Sequence, residues 1–313
     1  MEKKRRTKVK MSSGQMIPLG FALIILIGAA LLLLPVASAD GHSAGPLTAL
    51  FTSTTSVCVT GLVVVDTFSY WSLFGKIVIL LLIQIGGMGV VMITSLFMAI
   101  IGQKISIRDR ALIKDSFNLN SMSGIVGFLK KVAKGIFIVE GAGAVLYSIR
   151  FIPMFGFIKG LWKAVFTSVS AFCNAGIDVL GPDSLVPFWD DPLVLLTTMF
   201  LIFFGGLGFI VWFDLSDTLK KTGRKKGSLY GYFRRLNEHT KLVLTLTVFL
   251  ILFGAAVVFL IEKDNDATLG KMPLGYKILN SFFQSVTLRT AGFSTVPQGN
   301  LREVTAFISC LFM

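Results

Sequence analysis

The sequence predicts an all-α, polytopic membrane protein made of a repeated unit: a spanning helix, a short helix too brief to span, a glycine loop, and a second spanning helix. Three observations predict it. Hydrophobic residues make up 54% of the chain and mean hydropathy is +0.77, above the roughly 45–50% apolar content of soluble domains. The net charge of +13 is sorted by loop. A glycine-terminated motif recurs three times at nearly constant spacing.

The apolar residues are gathered in blocks. Residues 17–36 (IPLGFALIILIGAALLLLPV) carry no charge and have the ~20-residue length that crosses a hydrocarbon layer of about 30 Å. Blocks at roughly 71–101, 132–152, 192–213 and 242–261 qualify too, and a sixth begins near Thr305 and is cut off at Met313. The first block is too long for a cleaved signal peptide, and the VASAD after it is only a weak cleavage-site look-alike.

Lys and Arg number six in residues 1–10, seven in 102–134 and eight in 214–241, which is 21 of the 30. Those segments hold only six of the 17 acids. Positive loops stay in the cytoplasm, so the N-terminus and both loops are expected inside, in a multi-pass protein of the bacterial plasma membrane. Charge sorted in this way speaks against a nucleic-acid partner; the partner it points to is the lipid bilayer. With those loops inside, the blocks alternate correctly only if 44–66, 160–180 and 274–296 do not cross. Each holds an apolar run of about 10–12 residues, too short to span. Each lies between an outward and an inward helix and is expected to be re-entrant. Non-helical backbone at that depth must be buried in protein or line a water-filled cavity.

The repeat falls on those stretches. ALFTSTTSVCVTGL (49–62), AVFTSVSAFCNAGI (164–177) and SFFQSVTLRTAGF (281–293) align without a gap on Gly61, Gly176 and Gly292, which are 115 and 116 residues apart. That register pairs Phe51, Phe166 and Phe282, and sets Cys58 and Cys173 beside Arg289. QIGGMG (84–89) and FFGGLG (203–208) echo each other downstream and are expected to be packing glycines inside long spanning helices. The short helices are expected to start near 45–50, 160–165 and 273–278, where Gly or Pro suits a helix start, and to end at the glycine step.

A short helix entering from outside points the negative end of its dipole at the membrane centre, which favours a cation. The loop after it leaves unpaired carbonyls. Several such loops on one axis would present rings of backbone oxygens able to replace the hydration shell of K⁺. The candidate ligand-bearing residues are Cys58, Val59, Thr60 and Gly61; Cys173, Asn174, Ala175 and Gly176; and Thr290, Ala291 and Gly292. The competing reading, small residues that merely let helices pack, is weakened by the threefold recurrence at one topological position.

At these residues the chain resembles the Trk/Ktr/HKT superfamily of potassium transporters, its KtrB-type membrane subunits most closely. VCVTGL, FCNAGI and LRTAGF match its filter positions, and VVVDT (63–67) with LIQIGGMG (82–89) looks like its first repeat. The resemblance implies helix–pore helix–filter loop–helix units in a pseudo-fourfold, K⁺ channel-like architecture that is incomplete here. Repeat 1 with the basic tail spans 1–125 (filter near 57–61), repeat 2 spans 126–235 (filter near 172–176), and repeat 3 spans 236–313 (filter near 288–292) and breaks off in its second helix. A fourth repeat and a gating loop would lie beyond residue 313, so the 313 residues are expected to be a fragment of a longer protein and not to conduct on their own. The resemblance further implies K⁺ conduction, with Na⁺ as a coupling or second transported ion; no cofactor held by this chain; a homodimer; and a cytosolic ring of nucleotide-binding RCK-type subunits. The basic loops 102–134 and 214–241 would serve as its docking surface, or only fix topology and touch anionic lipid.

Other residues add less. Arg289, in the third loop, either braces the filter (the favoured role) or repels a second cation. Glu140, mid-block, is expected to pair with a neighbouring helix outside the ion path. Asp66 is placed at the outer mouth; Asp178 and Asp183 are ordinary loop acids or cation-attracting groups. Cys58, Cys173 and Cys310 form no disulfide framework. His42 and His239 are isolated and imply no metal site, and no enzymatic constellation is present. An ion-coupled carrier would ordinarily show inverted repeats, and a non-transporting scaffold would need no three matched loops.

Overall fold

In the computed structural model the described residues are 13–89, 92, 93, 95, 124–222 and 229–313. The basic tail 1–10 and most of the 102–134 loop lie outside them. Among the described residues the protein is all-α. The helices of the first unit are α1 (Ser13–Leu32), α2 (Pro46–Cys58), the single-turn α3 (Thr67–Tyr70) and α4 (Leu73–Met88). Those of the second are α5 (Ile125–Phe155), α6 (Phe157–Phe172), α7 (Pro192–Gly206) and α8 (Phe209–Thr222). After α9 (Leu229–Arg235) come α10 (Glu238–Glu262), α11 (Leu274–Thr287) and α12 (Glu303–Phe312).

α5 and α10 are long and apolar enough to cross a membrane, and α7 with α8 forms a third candidate span bent by 98°. α10 exposes Leu242, Leu246, Phe249 and Phe253, a surface suited to lipid. The short helices α2, α6 and α11 nest between the helices of their own units: α2 on α1 and α4, α6 on α5 and α7, α11 on α10. Units join in sequence, because α4 also packs on α6 and α7 on α11.

The same small-residue joint fixes the short helix in each unit. Ser53 Oγ donates to the Ile25 carbonyl at 2.7 Å, Ser168 Oγ to the Glu140 carbonyl at 2.6 Å and Ser285 Oγ to the Ile251 carbonyl at 2.8 Å. Opposite these serines stand Gly28, Gly143 and Gly254, where a Cβ would lie 2.5 Å from the serine oxygen in every case. Glycine at these three positions lets the two helices of a unit touch backbone to side chain.

Two expectations about the long helices are corrected. The blocks 71–101 and 192–213 are not straight spans: α4 stops at Gly89 (φ +82°) and α7 at Leu207–Gly208 (φ +81°). The glycines of GGMG and GGLG do different jobs. A Cβ on Gly86 would lie 2.1 Å from the Val57 carbonyl oxygen and one on Gly205 1.8 Å from that of Phe172, so the first glycine of each motif seats the end of its own short helix. The second, Gly87 or Gly206, faces the loop of the next unit. The last takes the left-handed backbone that breaks the helix.

Candidate functional site

The three glycine loops have the same backbone. Each short helix ends at its loop, which then places a non-glycine residue in the left-handed region, Val59 (φ +55°), Asn174 (φ +58°) and Thr290 (φ +62°), two positions before a glycine of positive φ, Gly61 (+77°), Gly176 (+62°) and Gly292 (+80°). Asparagine tolerates that region, but for the β-branched Val59 and Thr290 it is an outlier. Strain of this kind persists only where surrounding structure imposes it, and it gathers at functional sites.

The gap-free alignment of the third unit needs correction. The amide before each glycine closes the loop onto a carbonyl of the short helix: Thr60 N to Thr55 O, Ala175 N to Ser170 O, and Ala291 N to Thr287 O. The first two bonds span five residues and the third spans four. α11 therefore has one residue fewer between its joint serine and its glycine. Phe283, not Phe282, takes the place of Phe51 and Phe166. The triplets Phe-Thr-Ser (51–53 and 166–168) and Phe-Gln-Ser (283–285) carry this register in the sequence.

The loops meet backbone to backbone. A Cβ built on Gly176 would fall 2.4 Å from the Ala291 carbonyl oxygen and 2.6 Å from the Gly292 Cα. One on Gly292 would be 3.0 Å from the Gly176 Cα and 3.6 Å from the Gly61 Cα, and one on Gly61 2.9 Å from the Ala175 oxygen. The carbonyl before one unit's glycine thus points at the glycine of the preceding unit. Among the described residues, the carbonyls of Val59, Thr60 and Gly61, of Asn174, Ala175 and Gly176, and of Thr290, Ala291 and Gly292 accept no hydrogen bond from protein. Of these nine residues only Ala175 and Ala291 are buried, while Thr60, Thr290 and Gly292 are exposed, so the oxygens stand where water or a ligand can reach them. The negative ends of α2, α6 and α11 converge on them.

A cavity of about 330 Å³ opens on the three glycines and is lined by residues 63–67, Ile177, Asp178, Gly181, Pro182 and Ser184. Asp66 lies on its wall but also caps α3, accepting from Phe68 N at 3.2 Å and Ser69 N at 3.0 Å. Asp178 shares the wall and accepts from Leu180 N at 3.1 Å. Burial, with a smaller contribution from the Asp66 charge, pushes its carboxyl above the usual range. Asp183 does not line the cavity. Of the three loop acids, two are thus brought to the wall of this cavity.

Behind the loops, the units interlock. The buried Glu140 carboxylate accepts from Gln84 Nε2 of α4 at 2.9 Å and lies 4.0 Å from Cys173 Sγ. A Cβ on Gly87 would lie 2.4 Å from that sulfur. The next joint repeats the pattern with other residues: Gly206 faces Asn174 Nδ2 at 3.5 Å and Arg289 Nη2 at 3.6 Å from its ideal Cβ. Arg289 Nη1 and Asn174 Oδ1 are buried without a hydrogen-bond partner. Arg289 therefore packs on the second unit's helix rather than bonding to loop carbonyls. The cysteines Cys58, Cys173 and Cys310 are all free. Sequence reasoning missed Gln84 as the partner of Glu140; the signal for it was an amide in the apolar stretch that follows Lys76 in α4.

Fold and loops together define a class: α-helical membrane proteins in which glycine loops at the ends of short helices meet backbone to backbone at one point. The comparisons name the family. The TrkH profile, described as a cation transport protein, matches residues 2–313, and the chain belongs to this family. It is 40% identical over 293 residues to the potassium/sodium uptake protein NtpJ of Enterococcus hirae, covering 94% of this chain and 62% of NtpJ. It is 37% identical over 305 residues to the Ktr system potassium uptake protein B of Bacillus subtilis, covering 97% and 65%. The protein of the same name from Vibrio alginolyticus is 36% identical over 309 residues, covering 99% and 65%. The chain thus spans slightly less than two thirds of the length of these curated relatives. The crystal structure of the potassium transporter TrkH from Vibrio parahaemolyticus shares the fold, with a TM-score of 0.65 at 15% identity, covering 99% of this chain and 57% of that one.

Proposed function

We propose that this chain is the ion-translocating membrane subunit of a K⁺ uptake system, conducting K⁺ through a filter of backbone carbonyls. One observation carries the proposal: among the described residues the carbonyls of the three loops accept no hydrogen bond from protein, and the loops meet backbone to backbone at the three glycines, with the Ala175 and Ala291 oxygens against Gly61 and Gly176. In a dry site such oxygens substitute for water around a weakly hydrated cation, and glycine keeps side chains out of the path. The relatives named as potassium uptake proteins support the ion assignment.

Within this proposal Val59–Gly61, Asn174–Gly176 and Thr290–Gly292 supply ligands, with Cys58 and Cys173 at the loop corners. Arg289 supports the third loop by packing against α7. Asp66 and Asp178 concentrate cations in the mouth through their field. The chain acts as a homodimer in the plasma membrane with its N-terminus inside, and a nucleotide-binding RCK-type ring docks on its cytosolic face. Na⁺ is a coupling or accompanying ion.

The test is growth at limiting K⁺ of a bacterium stripped of its own K⁺ uptake and carrying the gene that encodes this sequence, with its ring subunit co-expressed. Rescue is expected with the natural gene, with loss on Gly176→Asp at unchanged membrane abundance. No rescue by the natural gene, or full rescue by Gly176→Asp, would reject the proposal.

A further inference from the structure

A second cavity, of about 620 Å³, lies apart from the glycine loops, where α4 and α6 both begin. Its apolar lining includes Leu73, Phe155, Ile158 and Trp162, and three lysines face it: Lys76, Lys159 and Lys163. Ile158 is 82% exposed and Leu73 62%, so the apolar side opens toward the bilayer. Trp162 is of the residue type that settles at the headgroup level.

The lysines are held in place without a direct ion pair, although the Asp66 and Asp178 charges act on Lys76 and Lys163 from a distance. Lys76 Nζ donates to the Phe68 carbonyl at 2.7 Å and Lys163 Nζ to that of Leu180 at 3.2 Å. Lys163, itself buried, also has its Nζ 4.5 Å from the centre of the Phe68 ring and 4.1 Å from that of Phe155, and the ring faces attract an ammonium so placed. Lys159 is exposed at the rim. Among the described residues the ion pairs are Arg150–Asp191 and Lys241–Glu238, so none of the three has a carboxylate within ion-pair distance. An ammonium has three donors, and Lys76 commits one of them.

The arrangement lies between the first and second units, with Lys76 on α4 and Lys159 and Lys163 on α6. α2 contains no lysine, and Lys277 of α11 donates to the Lys263 carbonyl at 2.7 Å. It also places positive charge at the mouth end of the bundle, away from the loops where the chain keeps most of it.

We propose that this cavity binds one anionic phospholipid of the mouth-side leaflet, its phosphate held by Lys76, Lys159 and Lys163 and an acyl chain lying on Leu73, Phe155 and Ile158. A free anion would use the lysines but leave the apolar side unfilled. A neutral lipid would use the apolar side but leave three lysines without a direct ion-pair partner. The occupant would also cement the joint between the first and second units, since α4 and α6 belong to different ones.

The test is native mass spectrometry of the purified product of the gene, in detergent, titrated with phosphatidylglycerol or phosphatidylcholine. Each lysine near an anionic headgroup contributes roughly fivefold in affinity. The natural protein is expected to hold one phosphatidylglycerol at least about tenfold more tightly than phosphatidylcholine. The Lys76→Gln/Lys159→Gln double variant is expected to lose about 25-fold for phosphatidylglycerol and nothing for phosphatidylcholine. Lys271→Gln, outside the cavity, should change neither. If the double variant melts early, the exposed Lys159→Gln alone carries the test, with about a fivefold loss. Equal affinity for the two lipids, an unchanged affinity in a folded variant, or displacement of the lipid by excess inorganic phosphate would each overturn the proposal.

Discussion

Substituting Gly176 by alanine tests the geometry of the loops at its tightest point. The new Cβ would stand 2.4 Å from the Ala291 oxygen, 2.6 Å from the Gly292 Cα and 2.9 Å from the Gly292 carbonyl carbon. All three are backbone atoms, so no rotamer change relieves the overlap. The left-handed backbone at φ +62° adds about 1–2 kcal/mol for a residue with a Cβ, and forced backbone displacement about 1–3 kcal/mol more. The sum, about 2–5 kcal/mol, is enough to expel the loop from its native position, yet α6 itself is untouched. Gly61→Ala meets a nearest atom at 2.9 Å and then nothing closer than 3.6 Å, and Gly292→Ala one at 3.0 Å. The loss of K⁺ preference should therefore be greatest for Gly176→Ala and smaller for the other two. The assay is Rb⁺ uptake by K⁺-depleted cells in competition with Na⁺, with melting temperature read in parallel. Equal losses at the three positions, or natural selectivity in Gly176→Ala, would refute the reasoning.

Other outcomes follow from neighbouring contacts. Gly205→Ala, whose Cβ would lie 1.8 Å from the Phe172 oxygen, should abolish folded protein on size-exclusion chromatography, whereas Gly141→Ala, with open space around it, should be neutral or gain up to about 1 kcal/mol in thermal stability. Glu140→Ala leaves the Gln84 amide without its acceptor and should cost about 1–3 kcal/mol, seen as a lowered melting temperature; Glu140→Gln keeps an acceptor and should lose less. Asp178 takes up its proton at a pH above the usual carboxylate range because burial disfavours its charge. Uptake at limiting K⁺ should fall as pH drops through that raised range and the mouth loses negative charge; Asp178→Asn should show the low rate at all pH values, with a flatter profile.

Much of this was legible because the loops obey a strict local rule. A glycine that must turn its backbone leaves a fixed mark, and Gly61, Gly176 and Gly292 recur in step with the charge-sorted helices. The helix phase behind the third glycine was not legible from that anchor. The same loop closes over five residues in two units and four in the third, so an ungapped match sets Phe282 where Phe283 belongs. The serine joints held the information, since Ser53, Ser168 and Ser285 with Gly28, Gly143 and Gly254 are spatial pairs far apart in sequence. The breaks after GGMG and GGLG were hidden for another reason. An apolar run continues through Gly89 and Gly208, and hydropathy measures burial in lipid without sensing backbone direction. Contacts between units, such as Gln84 with Glu140 and Arg289 over Gly206, depend on the order in which the units pack, which no single segment encodes.

The central claim is that backbone oxygens of the three loops are the ligands of the transported cation. The most direct measurement is the anomalous scattering of Rb⁺ in crystals of the gene product grown with Rb⁺ in place of K⁺. A Rb⁺ peak within coordination distance of carbonyls from 59–61, 174–176 and 290–292, abolished in Gly176→Asp, is the predicted result. Rb⁺ bound elsewhere along the pathway, with the loop carbonyls unoccupied while transport persists, would contradict the account.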